Sequence, residues 1–145
     1  MIPDREHEEA AVGNVVVGYV SKPEGHAALK SAIAEAQLRG ASVVVVNSHR
    51  GGQDFDRAAS QKVEDEMDAV RKQLDEAGIK HDIRQLVRGF EPAEDLIGIA
   101  EEVSAELIVI GLRRRSPVGK LILGSNAQRI LLDAKCPVLA VKADA

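Results

Sequence analysis

The sequence predicts an α/β fold, a doubly wound five-stranded parallel sheet with about four helices. Three observations predict it. Short apolar runs, Val15-Val16-Val17, Val43 to Val46 and Leu107 to Ile110, are rich in β-branched residues and lack polar alternation, as strands buried on both faces do. Stretches with helical spacing separate these runs, so strands and helices alternate. Aromatic residues are 2% of a chain that is 45% hydrophobic, so its core must be built from Val, Ile, Leu and Ala.

The elements follow in order. Met1 to Gly13 reads as a charged lead-in, expected to be mobile, and 14–145 as a single domain. Asn14 to Val20 is the first strand, and Ser21 to Gly25 a turn. A helix then runs to about Arg39, with Leu29, Ala32, Ile33 and Ala36 on one face and Gly40 as its stop. Val43 to Val46 is the second strand, and Asn47 to Ser60 reads as a long loop. Val63, Met67, Val70, Leu74 and Ala77 give the clearest helix, closed by Gly78. His81 to Val87 alternates in polarity, which suits a strand near an edge.

Pro92 opens the third helix, with Glu94 and Asp95 favourable to its dipole and Leu96, Ile97, Ala100 and Val103 buried. Leu107 to Ile110 is the fourth strand, ended by Gly111, and the fourth helix runs from Ser125 to Ala134. Pro137 to Lys142 is the last strand. Its proline lacks an N–H, which sends it to an edge. That edge is expected either to pair with its own copy, giving a homodimer, or to stand alone protected by Lys135 and Lys142.

Composition narrows the function. Nineteen Lys and Arg against 23 Asp and Glu give a net charge of −4, so neither nucleic acid nor an anionic membrane is an expected partner. A single cysteine, Cys136, excludes an intrachain disulfide and fits the cytoplasm. The acidic start lacks the apolar core of a signal peptide, and no apolar run is long enough to span a membrane.

The stretch Glu106 to Gln128 reads strand, glycine-flanked loop, helix start. A helix N-terminus after a parallel strand offers unpaired N–H groups to an anion. Arg113, Arg114 and Arg115 add guanidinium groups suited to phosphate, or else form a solvated loop. A P-loop is excluded, because Arg114 and Leu121 stand where Gly and Ser or Thr are needed. There is no dinucleotide glycine fingerprint after the first strand and no Gly-x-Ser-x-Gly elbow. The four histidines are scattered, Glu64-Asp65-Glu66 with Asp68 forms a solvated helix face, and Cys136 reads as a small buried residue. No catalytic or metal-ligating set is expected.

From Asn14 to Ala143 the chain resembles the universal stress protein family. The resemblance rests on the β-α order with a wide connection after the second strand, on the closing Cys136-Pro137-Val138-Leu139-Ala140-Val141, and on the glycine loop. Nucleotide-binding members carry Gly, two residues, Gly, nine residues, Gly, then Ser or Thr. Here Gly111, Arg114 and Gly124-Ser125 stand at that spacing, with arginine at the second glycine position.

The resemblance implies the adenine nucleotide alpha hydrolase-like strand order 3-2-1-4-5 and an adenine nucleotide, ATP or AMP, across the carboxyl ends of strands one, two and four. The implied binding residues are Tyr19, Val20, Ser48 near the adenine, Ile110, Gly111, Arg113, Arg114, and Gly124, Ser125 and Asn126 capping the phosphates. It also implies a homodimer through Val138, Leu139 and Val141 and a role in stress survival or dormancy. Val20 stands where binding members usually have an aspartate. Three functions remain open: a nucleotide-responsive signalling module, a dimeric interaction protein without a nucleotide, and a weak ATPase.

Overall fold

The computed structural model describes residues 13–50, 57–88, 92–113 and 123–143. In chain order the elements are β1 (Asn14–Gly18), α1 (Pro23–Arg39), β2 (Ser42–Arg50), α2 (Arg57–Glu76), β3 (His81–Arg88), α3 (Pro92–Glu102), β4 (Leu107–Arg113), α4 (Ser125–Asp133) and β5 (Val138–Ala143). The strands form one sheet in the order β3-β2-β1-β4-β5, and every pairing is parallel. The predicted fold class and strand order are those observed.

Side chains alternate across the sheet. Val15, Val17, Val43, Val45, Leu107 and Val109 face a layer that holds Ala28, Leu29, Ala32 and Ala36 of α1 and Met67, Val70 and Leu74 of α2. Val16, Val44, Val46, Ile108 and Ile110 face Ala93, Leu96, Ile99 and Ala100 of α3 and Ile130 of α4. Burial on both faces is why the strands read as unbroken apolar runs. The small residues Ala28, Ala32 and Ala36 make one face of α1, so that helix lies close on the sheet.

The two edges differ. Along β3, Arg84 donates to Asp82 at 2.8 Å and to Glu102 at 2.7 Å, which holds its guanidinium charge still more firmly than usual. Such charges blunt an edge strand. Along β5 the sequence Val-Leu-Ala-Val precedes a single Lys142.

Four local readings are corrected. β2 runs through Arg50 instead of stopping at Val46, because its backbone stays paired with β3 as far as Arg50 opposite Arg88. With α2 beginning at Arg57, the loop expected over Asn47–Ser60 narrows from both ends. Gly111 lies inside β4, paired with Val141, and the strand continues to Arg113. β1 ends at Gly18, and Gly25 belongs to α1 instead of the preceding turn. The lead-in 1–12 lies outside the described residues. Gly13 accepts a 2.9 Å hydrogen bond from the Ser42 amide, which joins it to the sheet. Among the described residues no helix is long and apolar enough to cross a membrane.

Candidate functional site

In a 3-2-1-4-5 sheet the connections leave β1 and β4 in opposite directions. Their carboxyl ends form the switch point where open α/β sheets receive ligands. The chain places two helix N-termini there, α1 after β1 and α4 after β4.

A cavity of about 240 Å³ lies at this rim, lined by Glu24, Gly111, Leu112, Arg113, Gly124, Ser125, Asn126 and Ala127. Five residues predicted for the site therefore come together: Gly111, Arg113, Gly124, Ser125 and Asn126. Gly124 is the N-cap of α4, extended at φ −74° and ψ 169°, and has no side chain with which to cap the helix. The amides of the first turn of α4 have no intrahelical acceptor, so they are available to a ligand. A Cβ on Gly124 would meet no described atom within 4 Å, so its bare backbone is approachable.

Gly111 is bare for a different reason. A Cβ there would collide with the backbone carbonyl oxygen of Glu24 and lie 2.6 Å from its carbon. The first turn of α1 thus rests directly on β4. Gly25 shows the same closeness one residue on, where a Cβ would collide with the carbonyl oxygen of Val20 and come within 2.7 Å of its nitrogen. The turn between β1 and α1 is folded back tightly, with the Lys22 amide donating to Val20 O at 2.8 Å.

Of the remaining predicted residues, Tyr19, Val20, Ser48 and Ile110 are described and do not line this cavity. Val20 is 41% exposed at the end of the β1 connection. Tyr19 is 3% exposed, packed in the core layer under α1 and α2, with its ring edge-on to His26 at 5.6 Å between centroids. Burial, and next the Glu66 carboxylate, push its phenol pKa up. Ile110 packs toward α3. Ser48 is half-buried in β2, and its hydroxyl donates to Asp95 of α3 at 3.1 Å. Arg114 lies outside the described residues, as does Arg115.

Cys136 is partly buried, and that burial pushes its thiol pKa up, away from a nucleophilic thiolate. Among the described residues no three His, Cys, Asp or Glu side chains gather as metal ligands. The residue that sequence reasoning missed is Glu24. The turn expected over Ser21–Gly25 hid the fact that Pro23 starts a helix and that its second residue faces β4.

Residues 12–142 match the Universal stress protein family. The chain belongs to that family. A universal stress protein from Mycolicibacterium smegmatis is 44% identical over 130 residues, which span 88% of this chain and 96% of the relative. Among solved structures, the universal stress protein from Archaeoglobus fulgidus superposes with a TM-score of 0.75 at 36% identity, covering 90% of this chain and 98% of that one. A universal stress protein from the same organism in complex with dAMP gives a TM-score of 0.69 at 30% identity, with the same coverage. In this universal stress protein, β4 ends at Arg113, and Gly124 is the N-cap of α4.

Proposed function

We propose that this universal stress protein binds an adenine nucleotide, AMP or ATP, as a signal in stress response or dormancy, without substantial turnover, in the cytoplasm. The observation that carries the reading is the open cavity at the switch point. There the uncapped first turn of α4 meets Arg113 beside a bare Gly124 backbone. That is the local chemistry of a phosphate site. The dAMP complex of the Archaeoglobus fulgidus relative supports the choice of an adenine nucleotide. Binding without turnover is supported by the described lining, which offers hydrogen-bond donors to the phosphate and, among the described residues, no Ser-His or Cys-His pair.

Calorimetric titration with AMP, ATP and cyclic AMP tests this. Heat of binding is expected below millimolar ligand. Ser125→Ala is expected to weaken binding about three- to tenfold, the worth of one neutral hydrogen bond. Absence of heat at millimolar ligand would remove the nucleotide. That outcome would leave the second reading, a dimeric interaction protein, which Val20 favours because an exposed valine cannot accept a hydrogen bond from a ribose or an amine.

The quaternary part of the proposal is a homodimer through β5. Its support is the contrast between edges: Asp82 and Arg84 guard β3, whereas Val138, Leu139, Ala140 and Val141 leave β5 apolar and only partly covered. Sedimentation velocity at micromolar concentration is expected to give twice the 15.5 kDa chain mass. A single species of one chain mass across the concentration range would remove the dimer.

A further inference from the structure

The cavity that presents the α4 amides and Arg113 also contains a carboxylate. Glu24 projects from the first turn of α1, and its Oε1 is closed off from solvent without a hydrogen-bond partner among the described residues. A carboxylate oxygen in that state is expensive unless something donates to it or a cation meets it. Nor can Glu24 be withdrawn by sliding its helix, because its carbonyl and Cβ already bear on the bare Gly111 of β4. One fixed negative charge therefore shares a small space with the donors that attract an anion.

We propose that Glu24 is a specificity-determining residue that makes the site read the charge of its ligand. The site takes a nucleotide whose phosphate brings little net charge, and turns away a free triphosphate. The inference rests on the nucleotide reading of the same site. Low charge has two sources, a single phosphate, as monoester or diester, or a polyphosphate whose charge a divalent cation partly offsets. Mg²⁺ is commonly held by one or two carboxylates together with substrate phosphates. Glu24 supplies one carboxylate, and since no group of three ligands exists among the described residues, the cation would arrive with the nucleotide. In either case the ligand relieves Oε1, through a coordinated cation or a ligand hydroxyl that donates to it.

The test compares the wild type with Glu24→Gln, which keeps the shape and removes the charge. Calorimetry is run with ATP in EDTA, ATP in excess Mg²⁺, and cyclic AMP under both conditions, at constant ionic strength. The wild type is expected to bind ATP at least about tenfold more tightly with Mg²⁺ than in EDTA, and cyclic AMP equally under both conditions. Glu24→Gln is expected to bind ATP in EDTA at least about threefold more tightly than the wild type, narrowing the Mg²⁺ effect. Glu24→Asp, which keeps the charge, should retain most of that effect and guards against a mere folding defect in the first variant. Binding of metal-free ATP by Glu24→Gln alone also supports the proposal. Equal Mg²⁺ dependence in wild type and Glu24→Gln overturns the role of Glu24 and leaves the nucleotide site standing. Silence of every protein with every ligand overturns both.

Discussion

Gly111→Ala is expected to lower stability by at least about 3 kcal/mol, although it adds a single methyl group. Added methylenes in a packed interior usually cost 1–3 kcal/mol because neighbouring side chains can move. Here the neighbour is backbone. The new Cβ would strike the carbonyl oxygen of Glu24 and sit 2.9 Å from the Glu24 Cβ, and relief requires lifting the first turn of α1 off β4. That turn is itself held by the fold-back at Val20, where Gly25 leaves no room either. The measurement is a urea unfolding midpoint, with Gly124→Ala as the control. Gly124 belongs to the same glycine motif, yet no described atom would meet its Cβ, so its replacement should cost no more than about 1 kcal/mol, the N-cap preference for glycine over alanine. If both variants unfold at the wild-type midpoint, the close contact of α1 with β4 is wrong. A consequence for mutagenesis follows. Loss of nucleotide binding in a Gly111 variant reports loss of the fold, so Ser125 and Glu24 are the informative positions.

Leu29→Ala is the second large effect, with an expected loss of about 2–5 kcal/mol. Leu29 has no exposed surface and is among the largest fully buried side chains, set between the alanine face of α1 and the sheet residues Val15, Val17 and Val109. Its neighbours Ala28 and Ala32 are too small to swing into the hole. The site therefore relaxes little, and the cost should fall in the upper half of that range. Leu38→Ala on the same helix is the matched control, because Leu38 is 82% exposed and its loss should cost less than about 0.5 kcal/mol. Thermal midpoints of the two variants should differ by roughly 10 °C. Equal midpoints would mean that α1 is not packed on β1 and β4 as described.

The pattern that made the fold legible is burial on two faces. Val15-Val16-Val17 and Val43 to Val46 could be read as strands because each residue faces one helix layer or the other, leaving no polar positions to confuse the period. The edge strand β3 betrayed itself by alternation, Ile83 and Gln85 against Asp82 and Arg84. What could not be read was pairing that carries a polar segment along. Asn47-Ser48-His49-Arg50 looks like loop by local propensity, yet the ladder to β3 keeps it extended. Asn47 is even buried, its amide 3.5 Å from the Met67 sulfur.

The site was legible where a motif fixes backbone, at Gly111 and at Gly124 to Asn126. It was opaque where a side chain is aimed by packing. Glu24 enters the cavity because α1 sits on Gly111, a contact between segments far apart in sequence. Tyr19, adjacent to Val20, turns its ring the other way into the core. Sequence neighbours on a strand end point to opposite faces, and only the sheet decides which face is which.

The placement of β1 also bears on how the chain is made. Of the five strands of the sheet, β1 precedes the others in sequence and lies at its centre, between β2, which follows at once, and β4, which comes about 90 residues later. Until Leu107 to Arg113 emerge, the inner side of β1 has no strand to bond with, and a row of valine backbone stays bare. A nascent chain in that state is prone to stick to others like it. The pairing of β1 with β4 thus spans more sequence than any other in the sheet, a long-range contact of the kind that slows folding.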